Sequence, residues 1–164
     1  MKRKSIAVKR PRARSAPPPL QELQDREAIR TLLHEMNWLA DQGDIPALLD
    51  CFTDDLVYDV GPFGRFHGKS ELRGFYERTV MPFTMRIHRT ANEVIEVNGG
   101  RAKCRCYWRA ELELNRVALN SSGHYIDELV RQRGRWKVSR RTATITYMCP
   151  LQDGWAKTRI MKLG

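Results

Sequence analysis

The clearest pattern in the chain is an alternation of polar and apolar residues between positions 101 and 114. From Ala102 onwards every second residue is apolar, and the intervening residues are charged except at Tyr107. A period of two is typical of a strand with one buried face, so the sequence predicts a long, half-buried strand here. Asn98-Gly99-Gly100 precedes it and predicts a tight hairpin turn from an earlier strand, which contains His88.

Two further strands are predicted at about residues 122–133 and 136–148, joined by a turn at Gly134. In the last strand the apolar residues occupy even positions up to Val138 but odd positions from Ala143 onwards. One extra residue near positions 139–141 would reconcile the two halves, which is the signature of a β-bulge. Such a bulge would turn Arg141 towards the buried face of the sheet.

The first part of the chain has helical periodicity. Residues 25–42 carry an apolar stripe at the 3.6-residue spacing of a helix, with Asp25 as the expected N-cap and Gly43 as the residue that ends it. Asp44 is then expected to cap a second, shorter helix that has Pro46 in its first turn. These signals predict two consecutive helices separated by a sharp break.

Between these helices and the long strands, the sequence predicts a short strand at residues 56–60 and an extended piece around Phe66. Residues 69–80 have the pattern of a third helix, which Pro82 would stop. The predicted fold is therefore α+β, with three helices packed in the concavity of a curved, mixed or antiparallel sheet. A sheet of this shape forms a cone, and pockets form at the mouth of a cone.

Charge is distributed unevenly along the chain, which has 29 basic and 19 acidic side chains. Seven of the basic side chains fall within residues 1–20; without them, 22 basic groups remain against 19 acidic ones. This segment is also rich in proline and poor in apolar residues, so we expect residues 1–22 to form a disordered tail. The sequence thus predicts one domain at residues 23–151, followed by a C-terminal tail at residues 152–164.

The basic tail leaves two interpretations open. It either binds nucleic-acid phosphate or anionic lipid through its charge, or it is a solvated leader with no partner. Nucleic-acid binding is expected nowhere else, because the rest of the chain is nearly neutral. The chain has neither an apolar run of signal-peptide length nor one of the ~18 residues that a membrane helix needs. We therefore expect a cytoplasmic protein that does not enter a membrane.

Three segments of the chain resemble the SnoaL-like branch of the nuclear-transport-factor-2-like superfamily. They are AIRTLLHEMNWLADQGDIPALLDCFTDDLVYDVGPFG at 28–64, IHRTANEVIEVNGGRAKCRCYW at 87–108 and GHYIDELVRQRGRWKVSRR at 123–141. The resemblance implies a cone-shaped α+β barrel over about residues 25–151. It also implies a homodimer or homotrimer that assembles through the outside of the sheet.

Within that branch, VMPFTMRIHRTAN at 80–92 and RWKVSRRTATITYMCPL at 135–151 are similar to lyases of the scytalone dehydratase kind. Hexachlorocyclohexane dehydrochlorinase and bile-acid 7α-dehydratase belong to this set. The resemblance implies that Asp41, His88 and Arg141 are catalytic. Relatives often carry a Tyr or Lys five residues before the Asp, where this chain has Met36. A proton donor or leaving-group ligand is therefore absent from that position.

The chemistry that these residues would support is proton abstraction from carbon without a metal or other cofactor. His88 would act as the base, Asp41 would orient it, and Arg141 would stabilise an enolate-like oxygen or a departing anion. The protein would then be a dehydratase, a dehydrohalogenase or an isomerase of a hydrophobic ring compound. We expect six further residues to line the substrate pocket: Met36, Tyr58, Asn92, Trp108, His124 and Tyr147.

Other interpretations of the same residues stay open. Asp41 lies about 150° from the centre of the apolar stripe at ~100° per residue, which is typical of a surface carboxylate. His88 alone fits a histidine at the rim of the core, and Arg141 alone fits a solvated strand face. Two functions without catalysis are therefore alternatives: the small subunit of a ring-hydroxylating dioxygenase-like assembly, and a small-ligand-binding module.

Overall fold

A computed structural model of the chain describes residues 19–157 and residue 160, so most of the predicted N-terminal tail lies outside the described residues. The helices are α1 (Leu20–Gln42), α2 (Ile45–Asp50), α3 (Gly68–Phe75), which continues as a π-helical turn (Tyr76–Val80), and α4 (Gly154–Lys157). The strands are β1 (Phe52–Asp59), β2 (Arg65–His67), β3 (Met85–Asn98), β4 (Arg101–Leu114), β5 (Val117–Gln132) and β6 (Arg135–Pro150). None of the described helices is both long and apolar enough to cross a membrane.

The six strands form one curved sheet in the order β2-β1-β6-β5-β4-β3. The sheet is mixed, because β1 pairs with β6 in parallel while the other neighbours are antiparallel. Its two edges, β2 and β3, do not pair, so the cone is open on one side. The predicted α+β cone is confirmed, and the alternation predicted for residues 101–114 appears as the buried and exposed faces of β4.

The apolar stripe of α1 packs into the concavity of the sheet, where Ile29, Leu33, Met36 and Ala40 are buried. The predicted break after this helix is also confirmed. Gly43 has a left-handed φ of 76°, and its N–H donates to the Ala40 carbonyl. Asp44 then caps α2 by accepting a 3.1 Å hydrogen bond from the Ala47 N–H. This break places Asp41 in the last turn of α1.

The predicted start of α1 is wrong, because the helix begins at Leu20 and not after an N-cap at Asp25. Asp25 lies inside the helix and is buried. Its carboxylate forms an ion pair with Arg131 and accepts a 3.3 Å hydrogen bond from Trp136 Nε1. Burial alone would raise the pKa of this carboxyl group, but the hydrogen bonds from Arg131, Trp136 and Gln21 outweigh burial and lower the pKa. Asp25 therefore anchors α1 to the β5–β6 hairpin.

Bulges decide which side chains of β3 and β6 face the concavity. In β6, Val138 pairs with Leu129 while Arg140 pairs with Glu128, so Ser139 is an extra residue. This is the bulge predicted from the change of parity, and it turns Arg141 into the core, where only 3% of the residue is exposed. Two further bulges, in β3 and near the end of β6, are not foreseen from the sequence.

Candidate active site

A cavity of about 110 Å³ lies inside the cone, between the helices and the concave face of the sheet. Most of its wall is apolar, from residues such as Met36, Leu48 and Phe83. Polar groups on the wall include Asn37, Tyr58, Tyr76, His88, Tyr125 and Arg141. The part of the chain that the structure describes has no group of three or more His, Cys, Asp or Glu side chains that could hold a metal ion.

Asp41 and His88 form a closely coupled pair at this cavity. The Asp41 carboxylate accepts two hydrogen bonds, one from the His88 backbone N–H at 2.8 Å and one from His88 Nδ1 at 2.6 Å. Only 12% of the Asp41 side chain and 19% of the His88 side chain are exposed. Because Nδ1 donates its proton to a carboxylate, Nε2 is the acceptor nitrogen of the neutral ring. The pair therefore fixes the orientation of the imidazole ring on a cavity wall.

The local reason for this pairing is a polar seam between α1 and the edge strand β3. Helix positions 34, 37 and 41 lie on one face of α1, beside its apolar stripe. The seam consists of side-chain hydrogen bonds from His34 to Glu93 at 3.3 Å, from Asn37 to Thr90 at 3.3 Å and from His88 to Asp41. Asp41 is therefore off the apolar stripe, as its periodicity indicates, yet it faces β3 and is largely shielded from solvent.

Arg141 is held by a buried carboxylate. Its Nε donates to Asp127 Oδ1 at 2.7 Å and its Nη2 donates to Asp127 Oδ2 at 2.9 Å, in a bidentate pair. Burial by itself lowers the pKa of the guanidinium group, but the charge and hydrogen bonds of Asp127 outweigh burial and raise the pKa well above its ordinary value. The guanidinium carbon also lies 4.3 Å from the ring centre of Tyr125 and 5.9 Å from that of Tyr58.

Three tyrosines on the cavity wall supply neutral hydroxyl groups. Burial raises the pKa of Tyr58, and it raises those of Tyr76 and Tyr125 well above the ordinary value for a phenol. The three side chains therefore keep their protons and can donate hydrogen bonds near neutral pH. Tyr76 belongs to the π-helical turn, and turns of this kind are frequent at functional sites.

Of the six predicted pocket residues, Met36, Tyr58 and Trp108 lie on the cavity wall, and the other three do not. The prediction for Asn92 is corrected because it occupies a β3 bulge with a φ of 60°, is exposed and does not line the cavity. His124 faces outwards on β5 and lines a groove on the convex side together with Asn92.

Tyr147 is excluded from the cavity by the second bulge of β6. Ser122 pairs with Tyr147 while Gly123 pairs with Ile145, so the residue between Ile145 and Tyr147 is extra and the parity changes again. The Tyr147 ring packs at 5.2 Å against Trp155 of α4 instead. This corrects the prediction that Tyr147 lines the pocket.

Three residues of the site were missed in the sequence: Asn37, Tyr76 and Asp127. Asp127 carried a readable signal, because it alternates with Tyr125 and Leu129 on the inward face of β5. A charged residue at an inward strand position requires a buried partner. Tyr76 carried no comparable signal, since a helical pattern does not reveal that the last turns become π-helical.

A family comparison agrees with this architecture. Residues 21–142 match the family model described as the SnoaL-like domain. The chain therefore belongs to the family of SnoaL-like domains, within the superfamily predicted from the sequence. No curated protein sequence matches the chain.

Solved structures of similar fold cover most of this chain. A scytalone dehydratase candidate from Novosphingobium aromaticivorans is 22% identical with a TM-score of 0.74, over 79% of this chain and 89% of that one. A type 3 hexachlorocyclohexane dehydrochlorinase from Novosphingobium barchaimii is 22% identical with a TM-score of 0.73, over 82% and 94%. An aromatic ring hydroxylase candidate from N. aromaticivorans is 26% identical with a TM-score of 0.73, over 80% and 96%. These likenesses support the fold.

Proposed function

We propose that this protein is a cofactor-independent lyase or isomerase that abstracts a proton from a carbon of a hydrophobic ring compound. The observation that carries the proposal is the 2.6 Å contact between His88 Nδ1 and the Asp41 carboxylate at a mostly apolar cavity. Two proteins of similar fold, the scytalone dehydratase candidate and the dehydrochlorinase, also support the proposal, because their names describe elimination reactions. The assignment of roles rests on the geometry of the pair.

In the proposed first step, His88 Nε2 accepts the proton from the substrate carbon. Asp41 holds the ring in the orientation and tautomer in which Nε2 carries no proton. Its negative charge stabilises the positive charge that the ring gains. The second hydrogen bond, from the His88 backbone N–H, fixes the carboxylate relative to the strand. Proton abstraction from carbon needs this preorganisation, because the base must already be aligned when the substrate binds.

The electron pair released by the proton is stabilised by the donor groups around Arg141. Asp127 balances the charge of Arg141, so the pair carries no net charge into the cavity. A neutral carbonyl oxygen that becomes an enolate oxygen therefore suits the site better than a fixed carboxylate or phosphate. The rings of Tyr58 and Tyr125 lie beside the guanidinium, and their hydroxyl groups would supply the hydrogen-bond donor that Met36 does not.

The size of the cavity restricts the substrate. Its volume of about 110 Å³ is somewhat below the ~150 Å³ of an apolar protein cavity that binds benzene. A substrate with a single ring is therefore favoured, and a steroid-sized compound requires the wall to move outwards. The presence of a cavity inside the cone favours an enzyme or a ligand-binding module over a packed, non-catalytic subunit.

The test is turnover of a panel of hydroxylated and halogenated single-ring compounds. Turnover is measured as the loss of substrate and as the release of halide or the appearance of the dehydrated product. We expect Asp41→Asn to lower kcat by about 100-fold or more, because the amide no longer orients the imidazole or stabilises its charge. Glu35→Gln is the matched control, since Glu35 is an exposed carboxylate on the same helix.

Equal activity of the wild type and Asp41→Asn would refute the dyad. Saturable binding of panel compounds without turnover would instead identify a ligand-binding module.

A further inference from the structure

Arg86 connects the two segments that carry the site. It lies on β3, two residues before His88, and its guanidinium donates to three backbone carbonyl oxygens. Nη2 binds the Asp41 carbonyl at 3.2 Å, and Nη1 binds the carbonyls of Met81, at 3.3 Å, and Phe83. Met81 and Phe83 belong to the segment that leads from the π-helical turn into β3.

The Asp41 carbonyl belongs to the last turn of α1, where helix carbonyls have no intrahelical partner. A positive charge near a helix C-terminus is stabilising, yet α1 has no basic residue in its own last turn. Arg86 supplies this charge from the neighbouring strand. It therefore stabilises the helix end at the residue whose side chain binds His88.

The same strand, β3, thus holds both the backbone and the side chain of Asp41. Arg86 binds its backbone carbonyl, and His88 binds its carboxylate through the backbone N–H and through Nδ1. Losing the Arg86 contact would free the helix end to move relative to β3, so the carboxylate could no longer meet both donors of His88. The same loss would free Phe83, which lies on the cavity wall.

We infer that Arg86 is a positioning residue: it fixes Asp41 and Phe83 against β3 so that the His88 imidazole is aligned for proton abstraction. This inference rests on the proposed function for its catalytic consequence. Arg86 itself does not line the cavity, so its effect is exerted through Asp41. A planar guanidinium can bridge carbonyls on two segments at once, which a single ammonium group does less well.

The test compares Arg86→Met and Arg86→Lys with the wild type, and Arg89→Met serves as the matched control. Arg89 lies on the same strand, but it is exposed and pairs with Glu111 at 2.6 Å. The first measurement is the proton NMR signal of His88 Nδ1–H, which a short hydrogen bond to a carboxylate moves to unusually low field. Its assignment is secured by its loss in Asp41→Asn.

We expect this signal to be lost or shifted upfield in Arg86→Met, to persist in Arg86→Lys and to be unchanged in Arg89→Met. In turnover, Arg86→Met should lower kcat by about tenfold or more with an unchanged KM, because misalignment affects the reaction rather than binding. Arg86→Lys should fall between Arg86→Met and the wild type. If Arg86→Met does not fold, Arg86→Lys alone tests the inference. We expect its kcat to fall by at least about threefold at constant KM.

A wild-type NMR signal in folded Arg86→Met would overturn the inference, as would a wild-type kcat in the variants. If the wild type turns over no panel compound, the proposed function fails, and the NMR comparison alone then decides whether Arg86 positions the Asp41–His88 pair.

Discussion

Replacing His88 by glutamine is expected to lower kcat by about 1,000-fold on any compound that the wild type converts. Glutamine keeps a polar side chain of similar reach, and the backbone N–H of residue 88 can still donate to Asp41. The variant therefore loses the imidazole base while it retains most of the local structure. Steady-state kinetics, with circular dichroism to verify folding, measures the effect.

His34→Gln is the control for this prediction. His34 lies on α1 in the same polar seam, but its ring is largely exposed and reaches Glu93 rather than the cavity. We expect its kcat to remain within about twofold of the wild type, as for a surface substitution away from special features. Comparable losses in the two variants would mean that the seam as a whole, and not a base at His88, supports activity.

The largest effect on stability is expected at Asp127. Its side chain is fully buried and pairs only with Arg141 among the hydrogen bonds described, so Asp127→Asn leaves a buried guanidinium without its counter-charge. Removing one partner of a buried ion pair costs about 3–5 kcal/mol in the free energy of unfolding. Urea denaturation of the wild type and the variant measures the difference.

Asp59→Asn is a matched control for Asp127→Asn, because Asp59 pairs with a largely exposed arginine, Arg65. We expect a loss of no more than about 1 kcal/mol there. A double variant, Asp127→Leu with Arg141→Met, should recover much of the stability lost in Asp127→Asn, since apolar residues can replace a buried pair. A small effect of Asp127→Asn would mean that the Arg141 charge is not buried as the geometry indicates.

The order of the elements could be predicted from the sequence because it depends on local periodicity. The alternation in β4 and the stripe in α1 each reflect burial of one face, and the parity change in β6 revealed the bulge at Ser139 that turns Arg141 inwards. Local patterns of this kind survive in a single sequence, since every residue of the element contributes to them.

The bulges that were missed show where this reasoning ends. The bulge at Asn92 lies where β3 has few buried apolar residues, so no parity change marks it. The bulge before Tyr147 has apolar residues on both sides of it, Ile145 and Tyr147, at the spacing of a regular strand. The alternation of apolar and polar residues therefore continues to look regular. Each moves a residue from the expected face to the opposite one, which is why Asn92 and Tyr147 were placed in the cavity.

Asp41 shows a different limit. Its position outside the apolar stripe correctly indicates that it does not face the sheet core, but periodicity does not reveal a second, polar contact with β3. Only the resemblance to SnoaL-like lyases connected Asp41 with His88 before the fold was known. Long-range pairs between a helix end and a strand leave no periodic trace, and Arg86 was missed for the same reason.

The most direct test of the account is the proton transfer itself. Panel compounds that are isomerised, or whose proton returns to carbon before a group leaves, should take up deuterium from D₂O with the wild-type protein, and mass spectrometry detects the added mass even where no group is eliminated. The account predicts uptake with the wild type and with His34→Gln, and only the uncatalysed background with His88→Gln. Uptake at the wild-type rate with His88→Gln would contradict it.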